Sequence, residues 1–124
     1  MKVTQGIITS KFGMRTHPAT GVRRMHNGVD ISAPEGTPVF CPAGGLVAGC
    51  GMNPTMGNYI QIQTGKMTYV FMHLSSINVV RGQYVLKGQL IGAVGKTGLA
   101  TGSHLHFEVH INNIPVNPEP YINF

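Results

Sequence analysis

Hydrophobic and polar residues alternate with a period of two along much of this chain, the spacing of a strand that buries one face. The pattern is clearest at His104–Ile111. There Leu105, Phe107, Val109 and Ile111 point one way, and His104, His106, Glu108 and His110 the other. Residues 59–63 and 67–73 predict a hairpin turning at Thr64, Gly65 and Lys66. In its second strand Tyr69, Phe71 and His73 share one face, and Val70, Met72 and Leu74 the other. Shorter strands are expected at Ile7–Ser10, continuing through 11–14, and at Val29–Ser32. A further hairpin is expected from 37–41 and 46–49 around Pro42, Ala43, Gly44 and Gly45, with a loop over 51–57. Residues 79–92 read as short strands with tight turns. No window sustains a helical period, so the expectation is an all-β fold of compact antiparallel sheets with short hairpins.

Composition narrows the picture. A chain of 124 residues predicts one domain over 1–124, large enough to bury a core without disulfides. Hydrophobic residues at 42% against 10% charged exclude a charge-rich disordered chain. No apolar stretch approaches the roughly 20 residues of a membrane span. The 17 Gly and 8 Pro follow no three-residue repeat and read as turns. A net charge of +5 favours anionic partners, among them an anionic cell wall. The basic residues are scattered, only Arg15, Arg23 and Arg24 lying close together, and nothing resembles a nucleic-acid-binding element. Cys41 and Cys50 read as small apolar residues in or beside strands. The N-terminus carries no secretion segment, so the expectation is an excised domain or a chain delivered by another route.

The titratable inventory points to the chemistry. One Asp (Asp30) and three Glu (Glu35, Glu108, Glu119) stand against six His (His17, His26, His73, His104, His106, His110). Paired-carboxylate catalysis has few candidates, because Glu35 and Glu119 sit in Pro-containing turns. A Ser-His-Asp relay would have to use Asp30, and no Gly-x-Ser-x-Gly elbow is present. Imidazole wealth with carboxylate poverty suits a metal site. In extended chain His26, Gly28 and Asp30 share a face, and Gly28 leaves room where a metal would sit. His104 and His106 share a strand face whose reverse is apolar, so that face lines either solvent or a groove. His73, read alone, is either a satisfied core imidazole or a functional group.

Together these positions resemble the lysostaphin-like (LytM-type, M23) zinc endopeptidases. The resemblance runs from Arg15-Thr16-His17-Pro18 through His26 to Asp30, Gly36-Thr37-Pro38-Val39, Met72-His73-Leu74-Ser75 and the Gly-rich stretch 82–98. It ends with Thr101-Gly102-Ser103-His104-Leu105-His106-Phe107-Glu108 and Pro115-Val116-Asn117-Pro118. It implies a hybrid-barrel-related peptidase fold, zinc as cofactor, and His26, Asp30 and His106 as metal ligands. It also implies that His73 and His104 flank the water at the metal as catalytic residues, either being the general base. Glu108 either orients an imidazole or lies exposed, His110 is expected beyond the metal and exposed, and His17 belongs to a structural turn. Phe71 stands where the family has Tyr, which either removes a hydrogen bond to substrate or alters packing. Cys41 stands where the family has Ala, a packing change.

The function implied is a zinc endopeptidase cutting peptidoglycan stem peptides or cross-bridges. It would act at the cell envelope, outside the cell or on a virion, as a monomer or as part of a larger polypeptide or phage tail assembly. An alternative is a non-catalytic wall-binding or regulatory domain of the same fold, against which stand the three retained ligands and both accessory histidines. A biotinyl- or lipoyl-type carrier modified at Lys66 fits the Gly-rich short strands. It leaves the placed histidines without a purpose, and the residues beside Lys66 are not those that flank a modified lysine.

Overall fold

A computed structural model describes residues 2–16 and 19–123. Among them are twelve strands and no helix. In chain order these are β1 (Ile7–Ser10), β2 (Gly13–Thr16), β3 (Arg23–His26), β4 (Val29–Ser32), β5 (Pro38–Phe40) and β6 (Gly45–Asn53). They continue with β7 (Gly57–Thr64), β8 (Met67–Ile77), β9 (Tyr84–Val85), β10 (Leu90–Val94), β11 (His104–Ile111) and β12 (Ile114–Val116). The main sheet runs β1-β4-β11-β8-β7-β6-β9. β10 joins β8 and β5, and β12 joins β11. All pairs of these strands are antiparallel, as expected of short strands joined without crossover helices.

The core lies on the apolar face of β11. Leu105, Phe107 and Val109 are fully buried there with Val29 and Ile31 of β4, Phe71 and Leu74 of β8 and Ile60 and Ile62 of β7. Full burial of each such side chain stabilises by about 1.5–3 kcal/mol. Phe107 packs on Phe71 with ring centroids 5.1 Å apart and stacks on Tyr69 at 6.2 Å. Phe71 is therefore a core residue. The absence of a hydroxyl at this position bears on packing, and Phe71 does not share a surface with His73.

That separation comes from a break in β8. Met67 to Met72 pair with β11, and Leu74 to Ile77 turn to β10. His73 sits at the handover with φ 65°, and the register with β7 slips at the same place. A non-glycine residue in left-handed backbone is uncommon. Here it shifts the alternation, so that Leu74 enters the core and His73 leaves it.

Three local expectations are corrected. Strands at 37–41 and 46–49 do not form a hairpin. β5 pairs with β10, and the Cys41 N–H donates to the Gln89 carbonyl, whereas β6 pairs with β7 and β9. Alternation shows that a strand exists but not which edge satisfies its backbone. The loop over 51–57 shrinks to a turn, because β6 runs to Asn53, whose Oδ1 accepts the Thr55 and Met56 N–H groups. Gly13–Thr16 and Arg23–His26 form a separate two-stranded ribbon, β2–β3, where strand was expected only to 14. Nearly all its residues are exposed, so no buried face marked it in the sequence. Cys41 and Cys50 are free thiols, Cys41 buried, as a packing role predicts. Replacing Phe71 by Ala should lower the unfolding free energy by about 3–5 kcal/mol in denaturant titration, the cost of a core cavity at a large aromatic.

Candidate metal centre

β4 and β11 set Asp30 directly opposite His106, so the two side chains leave the sheet on the same face. His26 reaches them from the end of β3, across the bend at Asn27 and Gly28. The three residues do not lie on one extended strand, and the space at Gly28 is not room for a metal. A Cβ there would clash with the Phe107 carbonyl oxygen and meet the Glu108 Cγ at 2.8 Å. Glycine at 28 instead lets the bend press against β11, which brings His26 over Asp30.

His26 Nε2 lies 3.2 Å from Asp30 Oδ2, and His106 Nδ1 lies 2.8 Å from Asp30 Oδ1. The His26 and His106 rings are 5.1 Å apart, edge to face. One nitrogen or oxygen from each of His26, Asp30 and His106 falls within 4.8 Å of the other two.

A hydrogen bond on the far side fixes the tautomer of His26, whereas His106 is bonded to a carboxylate on both sides. His26 Nδ1–H donates to the Lys11 carbonyl at 2.8 Å, leaving Nε2 free toward the centre. For His106 the arrangement is reversed: Nε2–H donates to Glu108 Oε2 at 2.7 Å and Nδ1 faces inward. Glu108 is only 9% exposed, and its second oxygen accepts from His110 Nε2 at 2.7 Å. Glu108 thus orients an imidazole rather than lying exposed. His110 is half-buried against it, beyond the Asp30 cluster as expected but not exposed.

The electrostatics follow from this line of groups. Burial raises Asp30, but the imidazoles around it, His106 first, hold its carboxyl below the usual value. Burial likewise raises Glu108, and the hydrogen bonds from His106 and His110 outweigh it and keep the group low. Burial pulls His106 down, yet the two carboxylates flanking it push it up to about 9.

Two further histidines border the cluster. His73 and His104 have ring centroids 5.0 Å apart, and His73 lies 6.2 Å from His106. His73 Nδ1–H donates to the Thr97 carbonyl at 2.8 Å, and His104 Nδ1–H to the Gly102 carbonyl at 2.9 Å, so both present Nε2. His104 Nε2 is 3.7 Å from Asp30 Oδ1. Burial pulls His73 below the ordinary histidine value, with the neighbouring imidazoles adding to it and the Thr97 carbonyl opposing. Thr97 is knotted into the fold: its hydroxyl donates to the Leu74 carbonyl and accepts the Asn58 N–H. The carbonyls of Lys11, Thr97 and Gly102 have no side-chain signature and were invisible in the sequence. His17 lies outside the described residues.

The donor set suits a divalent transition metal. Two imidazole nitrogens and a carboxylate oxygen match the borderline character of zinc, and three protein ligands leave a fourth position open. His26 Nε2 is left as a lone pair by the hydrogen bond its other ring nitrogen makes, whereas His106 Nδ1 would give up the proton it shares with Asp30 to become a ligand.

Comparison with known proteins shows the family. Residues 24–118 match the model of peptidase family M23. The peptidoglycan DD-endopeptidase ShyA of Vibrio cholerae is 45% identical over 113 residues, covering 89% of this chain and 26% of its own length. A zinc-containing peptidase from Vibrio cholerae superposes with a TM-score of 0.86 at 41% identity, over 94% of this chain and 36% of that one. The catalytic domain of lysostaphin from Staphylococcus simulans gives 0.83 at 32% identity, over 94% of this chain and 91% of that one. The chain spans about a quarter of the length of the curated relatives it matches. All-β architecture, a His-Asp-His cluster and a family match over most of its length converge, and the chain belongs to the M23 peptidase family.

Proposed function

We propose that this chain is a single M23-type domain acting as a zinc-dependent endopeptidase on the stem peptides or cross-bridges of peptidoglycan. The observation that carries the reading is the meeting of His26, Asp30 and His106 donor atoms within 4.8 Å, bordered by two further histidines with inward Nε2 atoms. ShyA, named a peptidoglycan DD-endopeptidase, supports the substrate, and with it a site of action at the cell envelope or outside the cell. The intact cluster weighs against a wall-binding domain without activity.

His26 Nε2, Asp30 and His106 Nδ1 would hold the ion. Zinc there supplies Lewis acidity, polarising the scissile carbonyl and bringing the pKa of a water toward about 7. Burial keeps His73 neutral near pH 7, so its Nε2 accepts the proton of the attacking water and returns it to the departing amine. His104, once protonated, offers Nε2–H to the oxyanion of the tetrahedral intermediate. The Thr97 and Gly102 carbonyls hold both rings in the required tautomer throughout.

The purified protein should contain about one zinc per chain and release muropeptides from wall material, with mass analysis identifying the bond cut. Ala at Asp30 or His106 should remove metal and activity together. Ala at His73 or His104 should keep the metal and lower kcat by about 10²–10⁴-fold, the range of a lost acid–base group. Loss of zinc in the second pair would reverse the assignment of roles.

A proton and the metal compete for His106 Nδ1. In the metal-free protein the raised pKa of His106 stabilises the fold fully below its unfolded value of 6.5, and this is lost as pH rises toward about 9. The lowered Asp30 and Glu108 stabilise above their unfolded values of 3.8 and 4.5 and lose that contribution in acid. Melting of chelator-treated protein should therefore peak between those limits. It should weaken toward pH 9 by at most roughly 1.4 kcal/mol per pH unit for one proton. Added zinc should abolish the alkaline decline, read by thermal melts at pH 6 and 9.

A further inference from the structure

Among the described residues every ion pair joins a histidine to Asp30 or Glu108, and no arginine or lysine takes part in one. Much of the positive charge near the candidate centre is gathered on the β2–β3 ribbon. Its register pairs Gly13 with His26, Met14 with Met25, Arg15 with Arg24 and Thr16 with Arg23. Side chains two apart on a strand share a face, so Arg15 and Arg24 lie on the face that carries His26, and Arg23 lies on the reverse. Like charges placed directly across a strand pair repel. Both guanidiniums are exposed, and Arg15 donates to the Ser10 hydroxyl on β1, where Ser10 sits opposite Asp30. The Arg15–Arg24 pair thus stands about 7 Å along the ribbon from His26, two residue spacings of an extended peptide.

We infer that Arg15 and Arg24 form a carboxylate-binding subsite, which holds a carboxylate of the substrate peptide about two residues from the bond cut at the metal centre. The inference rests on the peptidase reading above and names the substrate feature that it lacks. Two guanidiniums on one face can each present a fork of N–H donors to the same carboxylate, and the anion removes the repulsion between them. The carboxylate comes either from a peptide C-terminus or from an acidic side chain.

The test uses the zinc-loaded chain and three matched Gly/D-Ala peptides. One ends in a free carboxylate, one carries a Glu side chain and an amidated end, and one is amidated and has no carboxylate. Either or both acidic peptides should be cleaved with a kcat/KM about tenfold above the neutral one, through KM, since a hydrogen-bonded charge contributes that much. Which acidic peptide gains identifies the source of the carboxylate. Arg15→Gln and Arg24→Gln should bring the ratio close to one with zinc content unchanged. Arg23→Gln, an equal loss of charge on the opposite face, should leave the ratio as it is. A preference that persists in the first two variants, or falls equally in all three, overturns the subsite.

If no peptide and no wall material is cleaved, the peptidase reading fails on its own. The same peptides are then titrated against the protein by NMR, and equal affinity for acidic and neutral forms overturns the subsite as well. Loss of wall sedimentation in the variants with the peptide ratio intact would assign the ribbon to an anionic polymer and also overturn it.

Discussion

The pairing of β4 with β11 decides what the rest of the site can be, because it places Asp30 across from His106 and leaves both side chains on the face opposite the core. A slip of one residue would exchange every inward and outward side chain. Phe107 and Leu105 would then face solvent, and the two histidines would enter the core. The register is held by the burial of Val29 and Ile31 against Leu105 and Phe107, so the packing that stabilises the sheet also sets the Asp30–His106 distance. Residues 76 positions apart in sequence meet at 2.8 Å for that reason.

The second constraint is the break at His73. A regular β8 would have buried this imidazole beside Tyr69 and Phe71. The left-handed residue lets one strand serve two neighbours, β11 and then β10, and turns His73 toward His104 at the point of change. Its own N–H is recovered by the Met56 carbonyl and its ring by Thr97. The turn between β6 and β7 and the segment after β10 therefore support the same side chain. Uncommon backbone geometry here coincides with the residue proposed as the general base.

Fold class and the shared face of His104, His106 and His110 were legible in the sequence because both rest on local periodicity, whereas their grouping with His26, Asp30 and His73 rested on the family resemblance. β11 reads correctly residue by residue: Leu105, Phe107 and Val109 are buried, and the polar face carries the cluster. What failed was non-local. The partner of β5 lies some fifty residues on, and nothing in 37–49 announces it. The β2–β3 ribbon buries no face, so it leaves no alternation to find. The purpose of Gly28 depends on the approach of Phe107 and Glu108, which a sequence does not display. His73 was misplaced for the same reason: period two assumes a regular strand, and β8 is irregular at that residue.

Charge placement ties these elements together. Asp30 and Glu108 are both committed to imidazoles, in a line from His26 through Asp30, His106 and Glu108 to His110. Were a divalent cation held at the inner end with neutral histidines, the two carboxylates would balance it, and a neutral centre would tolerate its partial burial. The nine basic residues, set against the remaining carboxylates Glu35 and Glu119, would then leave seven positive charges outside the centre, among them the arginines of the β2–β3 ribbon beside it. Glu108 serves both ends of this arrangement. Its two oxygens accept from His106 and His110, and its charge would complete the neutralisation of a bound cation. A neutral Gln at that position could accept the same hydrogen bond, but it would leave the cation under-balanced in a poorly solvated place.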